Sequence, residues 1–455
     1  MVVLIYYSNR LKIIVKNVTS LLQTTNKELI KVLRKKYSAK IPGARYSRAY
    51  RKGWDGSKYF VTEGGKFGTG LLPYILNDLD LADLKYELQD ERDPVVDSHD
   101  IEVPTLQYRD YQRSLIELAL ERRQALIKAP TGAGKTIILA GILRALESRT
   151  GLIFFTQKTL LLQTYDFLTK LGFDVGVAFG DGVEIKPITL CTVQSIHKVL
   201  DSHLDQSEFI IFDEVHEFSK GKLSTKVVKS FPNAVYRFGM SATMPKEKMA
   251  KLNLVAYLGQ EISEVDVSKL VDEGFLTPPV VQFLDLPEYR DHSLLDKTYM
   301  DIYDSHIINC DIRNDKIREI CDSIEEGKVL ILVKNLKHLE ILKGLIPHAR
   351  TLEGKDDLMT RKRTIQNFVE EKVSVLIGTK IMQTGVDIPE ITHLINARGM
   401  KSEIATLQAL GRALRIHKSK TKVYIYDFND QVPYLKEHSK ARKKAYKSLK
   451  VEVND

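Results

Sequence analysis

Residues 129–136 read APTGAGKT, and their types and spacing suit a phosphate. Gly132 and Gly134 carry no Cβ, so backbone N–H groups can close on an anion, and a helix opening there adds positive potential. Lys135 then reaches toward the β and γ phosphates of a nucleotide, and Thr136 offers a hydroxyl to Mg²⁺. Pro130, Thr131 and Ala133 complete the cradle, while Ala129 departs from the glycine of the simplest pattern; an ordinary glycine turn is the alternative. FIIFDEVH (209–216) is an apolar run that delivers two adjacent carboxylates. Asp213 can hold the metal and Glu214 can orient or deprotonate a water. Taken alone such a pair is usually just a solvated strand end, and it acquires meaning beside a phosphate loop. In QALGRALR (408–415), Arg412 and Arg415 stand three residues apart, which on a helix aims two guanidinium groups at one place; a solvated helix face is the alternative.

Such groups need strands that end where the chemistry begins. ALIKA (125–129), GLIFF (151–155), ITLCT (188–192), FIIFD (209–213) and VYRFGM (235–240) read as buried parallel strands, with stretches of helical length at 136–147 and 159–171. The alternation restarts near 313 with KVLILV (328–333), VSVLIG (373–378), THLIN (392–396) and KVYIYDF (422–428). Two βα series predict an α/β protein with two tandem doubly wound parallel-sheet domains, at 96–275 and 276–430. A small basic α+β domain precedes them at 1–95, with a strand at 2–7, a helix at 26–36 and a helix cap at Thr69. Asp55-Gly56 signals a two-residue hairpin, which places Trp54, the sole tryptophan, at its tip. The acidic stretch at 87–104 reads as a linker. Residues 431–455, with SKARKKAYKSLK at 439–450, read as a basic C-terminal helix with exposed lysines.

The charge is localised. Residues 1–60 hold 14 Lys and Arg against Glu28 and Asp55, a balance of +12, so the remainder sums to about −3 within the total of +9. A field of that kind suits a polyanion, with a solvated basic face as the alternative. Cys191, Cys310 and Cys321 are scattered without metal-ligand spacing, as in a cytoplasmic protein with reduced thiols. The opening MVVLIYY is short for a signal core and no apolar run approaches the length of a membrane span, so neither secretion nor membrane insertion is expected.

YRDYQ (108–112), APTGAGKT, DEVH, SAT (241–243), GTKIMQTGVDIPE (378–390) and QALGRALR follow one another in an order that resembles the superfamily 2 helicases and translocases, over residues 105–430. The resemblance implies RecA-like domains and hydrolysis of ATP with Mg²⁺ held at Thr136 and Asp213. It makes Gln112 the reader of adenine, and His216, Ser241, Thr243 and Gln408 the residues that couple hydrolysis to movement of nucleic acid. Gly385 and Asp387 become the second domain's side of the nucleotide cleft, and Arg412 and Arg415 become arginine fingers. Thr156, Gln163, Thr192, Gln194 and Thr379 resemble groups that hold the strand backbone, although a hydroxyl or amide at a strand end is also an ordinary helix cap.

IPGARYSRAYRKGWDGSKYF (41–60) followed by FGTGLLPYIL (67–76) is similar to the N-terminal domain of phage UvsW-type helicases. That likeness implies a monomeric DNA helicase in a host cytoplasm. It would unwind and branch-migrate four-way junctions, forks and D-loops in recombination, repair and replication. Physically, Trp54 can stack on an exposed base while Arg51, Lys52 and Lys58 hold phosphates, or it can pack a small core. The motor motifs do not separate DNA from RNA. An RNA helicase, a duplex translocase that never parts strands, and an ATP-switched nucleic-acid-binding module remain as alternatives.

Overall fold

The computed structural model describes residues 11–94, 100–219, 222–287, 296–371, 373–379, 388–449 and 452–454; the strand expected at 2–7 lies outside them. The chain divides into two compact units, Met1–Ala129 with Gly134–Glu264, and Pro130–Ala133 with Val265–Asp455.

The first unit begins with β1 (Leu11–Val15), β2 (Thr19–Gln23), β3 (Ser38–Lys40), β4 (Ser57–Tyr59), β5 (Lys66–Gly68) and β6 (Tyr86–Asp90). One sheet runs β5-β2-β1-β6, with β1 antiparallel to β2 and parallel to β6, and β3 and β4 form a separate antiparallel pair. The helix Lys27–Lys36 starts where predicted because the Asn26 side chain accepts from Leu29 N at 3.0 Å.

Three local expectations fail here. β3 and β4 pair through Ser38 with Tyr59 and Lys40 with Ser57, so residues 41–56 join them and Asp55-Gly56 is the end of a long connection, not a two-residue turn at a hairpin tip. Thr69 caps nothing: its hydroxyl donates to Lys16 O at 2.6 Å, and the helix Leu72–Leu81 follows a 3₁₀ turn with no side-chain cap. The acidic segment at 87–104, expected to be a linker, begins inside β6, whose charges are tolerable on an exposed edge strand.

The second sheet of this unit comprises β7 (Gln124–Lys128), β8 (Gly151–Phe155), β9 (Gly176–Phe179), β10 (Gly182–Glu184), β11 (Ile188–Thr192), β12 (Phe209–Asp213), β13 (Tyr236–Ser241) and β14 (Gln260–Ile262). Its order is β10-β9-β11-β8-β12-β13-β7-β14, parallel except for the β9 and β10 pair. Helices Lys135–Ala145 and Lys158–Lys170 fill the predicted crossovers. The strands are nearly continuous apolar runs because both faces are covered, and Phe154, Phe212, Ile210 and Leu152 are fully buried.

The small N-terminal sheet shares that core. Ile13, Val15, Phe67 and Leu79 form one buried cluster with Leu254, Val255 and Leu258 of the helix Lys248–Leu258. The approach is close enough to require glycine: a Cβ on Gly68 or Gly70 would stand 2.0 Å from the carbonyl oxygen of Ala256 or Val255. The basic region is therefore welded to the first α/β sheet.

The second unit holds β15 (Pro279–Asp285), β16 (Gly327–Leu332), β17 (Arg350–Leu352), β18 (Val373–Gly378), β19 (His393–Asn396), β20 (Val423–Asn429) and β21 (Glu452–Asn454), ordered β17-β18-β16-β19-β20-β15-β21 and parallel throughout. The two tandem doubly wound sheets expected from the sequence are present. The helix Leu435–Lys447 exposes several lysines as predicted, yet it also buries Leu435, Ser439, Arg442 and Tyr446. Arg442 is fully buried and binds Asp427 at 2.9 Å and Asp430 at 3.2 Å.

Candidate functional site

The catalytic candidates of the first unit gather at the carboxyl edge of its parallel sheet, where open α/β sheets place their ligands. Asp213 ends β12 and Ser241 ends β13, and the loop 129–134 follows β7. Register aligns them: Asp213 lies opposite Met240, Ser241 lies opposite Lys128, and Ala129 N donates to Ser241 O at 3.0 Å. In the loop, Ala133 N donates to Pro130 O at 3.0 Å, while Gly132 and Gly134 adopt φ of 89° and 78°. That left-handed backbone explains why glycine occupies both positions. A Cβ on Gly134 would also meet the Gln112 amide at 2.4 Å, which sets Gln112 against the loop. Gln112 is buried and its Oε1 accepts from Arg109 N at 3.0 Å. Thr131 and Thr136 are half-exposed.

The ammonium of Lys135 is hydrogen-bonded to Glu214 Oε1. Glu214 itself sits at φ 48°, an uncommon conformation for a side chain of its size and a typical companion of functional sites. Its Oε2 accepts from Ser241 Oγ at 3.1 Å, and Ser241 Oγ lies 2.8 Å from His216 Nδ1 and 2.8 Å from Thr243 O. A serine hydroxyl has one proton. If it goes to Glu214 or Thr243, His216 must donate from Nδ1, which fixes the tautomer. The Thr243 hydroxyl is buried without a partner among the described residues.

Burial pushes Asp213 up to about 6, against the pull of Lys135, and the neighbouring Glu214 charge adds to the rise. Burial acts in the same sense on Glu214, but Lys135, with His216, outweighs it and holds that carboxyl well below the usual range. The two acids are thus pushed apart, one ionised at all working pH and one titrating near neutrality, as when adjacent groups take different roles. Asp213 and the Thr136 hydroxyl are hard oxygen donors, the class that suits Mg²⁺.

Candidate strand-holding groups occupy the next strands along the same edge. Thr156 follows β8, and Thr192 ends β11 with its hydroxyl donating to Ser195 Oγ at 3.0 Å. Gln163 and Gln194 are exposed. Thr192 stands at the start of the following 3₁₀ turn, but its hydroxyl makes no capping bond to a backbone N–H.

In the second unit, Thr379 follows β18 and is half-exposed. Gly385 and Asp387 lie outside the described residues, as does the Gln408 side chain. The helix Glu403–Ala413 contains Arg412 in its last turn and stops before Arg415. Arg415 sits in the following bend, where its carbonyl accepts from Thr277 Oγ1 at 3.3 Å. The shared helix face expected for the two arginines is therefore not formed.

In the N-terminal region, Arg51 and Lys52 are exposed, but Lys58 turns inward. Its ammonium is hydrogen-bonded to Asn253 Oδ1 and lies 4.7 Å from the Phe60 ring centroid, and burial lowers its pKa to about 8. Asn253 is a partner that no local pattern announces. Trp54 is half-buried and its indole N–H donates to Ser57 O at 3.1 Å.

The family described as Type III restriction enzyme, res subunit, matches residues 105–246, and the Helicase conserved C-terminal domain matches residues 313–417. The chain is 25% identical to the ATP-dependent DNA helicase uvsW of Enterobacteria phage T4, over 73% of this chain and 70% of that protein. It is 24% identical to the DNA 3'-5' translocase XPB2 of Sulfurisphaera tokodaii, over 68% and 79%. Among solved structures, an HsdR fragment of a type I restriction enzyme from Vibrio vulnificus matches with a TM-score of 0.56 at 18% identity, covering 78% of this chain and 69% of that one, a likeness of fold.

Proposed function

This chain belongs to the superfamily 2 helicases and hydrolyses ATP, and from that premise we propose that it acts on DNA, at branched intermediates of recombination, repair and replication. The observation that carries the reading is the charge of residues 1–60, +12, in a region whose described residues build a small sheet on the same core as the ATP site. The DNA named for the phage T4 and Sulfurisphaera proteins supports it. Branch migration also suits a small motor. Opening a duplex costs about 1.4 kcal/mol per step, whereas moving a branch re-forms one pair for each pair broken.

The proposed mechanism starts from the bond between Lys135 and Glu214. Phosphate oxygens of ATP compete for the Lys135 ammonium and release Oε1 of Glu214. That oxygen can then accept the proton of the attacking water, while Ser241 continues to hold Oε2. Asp213 and Thr136 would hold Mg²⁺, which when bound neutralises charge between the phosphates. Gln112 would read adenine beside Gly134. His216, Ser241 and Thr243 would report the state of Glu214 to the strand-holding groups Thr156 and Thr192, with Gln163, Gln194 and Thr379 as further contacts and Gln408 as a further coupling residue. Arg412 and Arg415 are proposed as arginine fingers, a role worth roughly 10³ to 10⁵ in related phosphoryl transfers, with Gly385 and Asp387 on the nucleotide.

The test compares ATP-driven conversion of a labelled four-way DNA junction, a tailed DNA duplex and its RNA counterpart, with Lys135→Ala as the inactive control. Preferential junction conversion, reduced by Arg51→Ala with Lys52→Ala, is expected. Faster action on RNA, or ATP turnover without strand rearrangement on any substrate, would overturn the branched-DNA reading.

A further inference from the structure

We propose that residues 41–56 form a stacking site for single-stranded DNA, and that Tyr46 and Tyr50, not Trp54, supply its aromatic faces. The inference deepens the branched-DNA reading and rests on its premise that the chain binds DNA.

The loop half-buries its tryptophan. Trp54 N donates to Ala49 O at 3.1 Å and its indole N–H to Ser57 O at 3.1 Å, so both polar groups serve the loop itself. The tyrosines face outward: Tyr46 is 70% exposed and Tyr50 is 44% exposed. They sit on consecutive short turns, Ala44–Tyr46 and Arg48–Arg51, joined by Ser47, whose hydroxyl accepts from Tyr50 N at 3.2 Å. The returning leg is shaped to receive a ring. Gly56 adopts φ of 75°, and a Cβ there would stand 3.3 Å from Tyr50 ring atoms and 3.0 Å from Ala44 Cβ. With Lys40, Ile41 and Arg45 the two tyrosines line an open cleft of about 330 Å³.

Charge selects the occupant. Lys40, Arg45, Arg48, Arg51 and Lys52 are all carried by this segment or its edge, against Asp55 alone. The Asp55 carboxylate is already engaged by Ser57 N at 2.9 Å, by the Tyr59 hydroxyl at 2.8 Å and by Lys40 at 3.6 Å. The Arg45 guanidinium lies 4.8 Å from the Tyr46 ring centroid and donates to its hydroxyl at 2.7 Å, which holds a cation beside an aromatic face. Exposed rings among cations that outnumber their one carboxylate match a strand whose bases are free to stack and whose phosphates need neutralising. A continuous duplex keeps its base faces stacked internally and offers only the phosphates. The site would thus recognise the unpaired segment at a junction or fork.

The experiment measures fluorescence anisotropy of a labelled oligo(dT) of about 15 nucleotides, near the span of a compact single-strand site, with a blunt duplex and oligo(rU) as parallel probes. Tyr46→Ala and Tyr50→Ala should each weaken oligo(dT) binding about tenfold, while Tyr46→Phe and Tyr50→Phe retain it. Binding to the blunt duplex should change little. The lone tryptophan lies in the same loop, so unchanged Trp54 emission shows that an alanine variant keeps the loop folded. Wild-type affinity in the alanine variants, equal loss in the phenylalanine variants, equal loss on blunt duplex, or tighter binding of oligo(rU) than of oligo(dT) would each overturn the assignment. Absence of junction preference in the wild-type protein, with the tyrosine effects intact, would sink the branched-DNA reading and leave this site standing.

Discussion

Two sets of carboxylates and cations, one in each unit, show how the same chemistry serves opposite ends. In the second unit Asp427 accepts from Asn396 Nδ2 at 2.8 Å, Phe428 N at 2.7 Å, the Tyr446 hydroxyl at 3.0 Å and Arg442 Nε at 2.9 Å. Arg442 in turn donates to Phe428 O at 3.0 Å and Met400 O at 3.1 Å, and no member of the group needs water. In the first unit Glu214 is held by a flexible lysine, by Ser241 Oγ and by His216 Nδ1 at 3.4 Å, all from a left-handed backbone. Saturation by planar guanidinium donors makes a structural lock. A carboxylate with a replaceable ammonium partner and stored strain can instead exchange partners when phosphate arrives.

The contrast can be broken at several points. The largest effect is expected from Glu214→Gln, which should lower ATP turnover about 10² to 10⁴-fold while ATP remains bound; steady-state hydrolysis beside a nucleotide-binding titration measures both. The matching change in the other unit, Asp427→Ala, removes one of the two carboxylates that hold the buried Arg442, leaving Asp430, and should cost about 3 kcal/mol of stability, seen as a fall in denaturation midpoint. Asp213→Asn sharpens the comparison through pH. Asp213 has its pKa raised to about 6 in the fold, above an unfolded value of about 3.9. The fold therefore disfavours its charged form, a penalty absent below about pH 4 and complete above about pH 6. The amide should stabilise the nucleotide-free protein by on the order of 1–3 kcal/mol at pH 8, with the gain vanishing toward pH 4; an unchanged gain across that range would contradict the assignment. The smallest change, Tyr446→Phe, removes one donor from Asp427 and should cost about 1–2 kcal/mol without altering hydrolysis by the first unit.

The sequence was most legible where burial on both faces forces a continuous apolar run. ITLCT and FIIFD became β11 and β12 over the residues expected, and the phosphate loop lies between a strand and a helix as its glycines required. It was least legible where a local signal competes with a distant partner. Asp55-Gly56 carries the chemistry of a tight hairpin, yet β4 pairs with a strand on the far side of residues 41–56. Lys58 looks like a phosphate ligand until Asn253, far along the chain, claims it. PVVQFLD at 279–285 forms β15, a strand that was not among those expected. For the candidate site, side-chain types identified Lys135, Asp213 and Glu214, but the proton accounting through Ser241 and the break between Arg412 and Arg415 depend on backbone geometry that spacing does not encode.

Strand order has a mechanical corollary. β12, which leads into the proposed base, lies directly beside β8, which Thr156 follows, and β8 lies beside β11, which ends at Thr192. Neighbouring strands are about 4.8 Å apart. A rearrangement at Asp213 and Glu214 is therefore one strand's width from the first candidate grip on nucleic acid and two from the second. In the proposed motor the stroke would need no long lever inside this unit: the width of the sheet itself would mesh chemistry with movement.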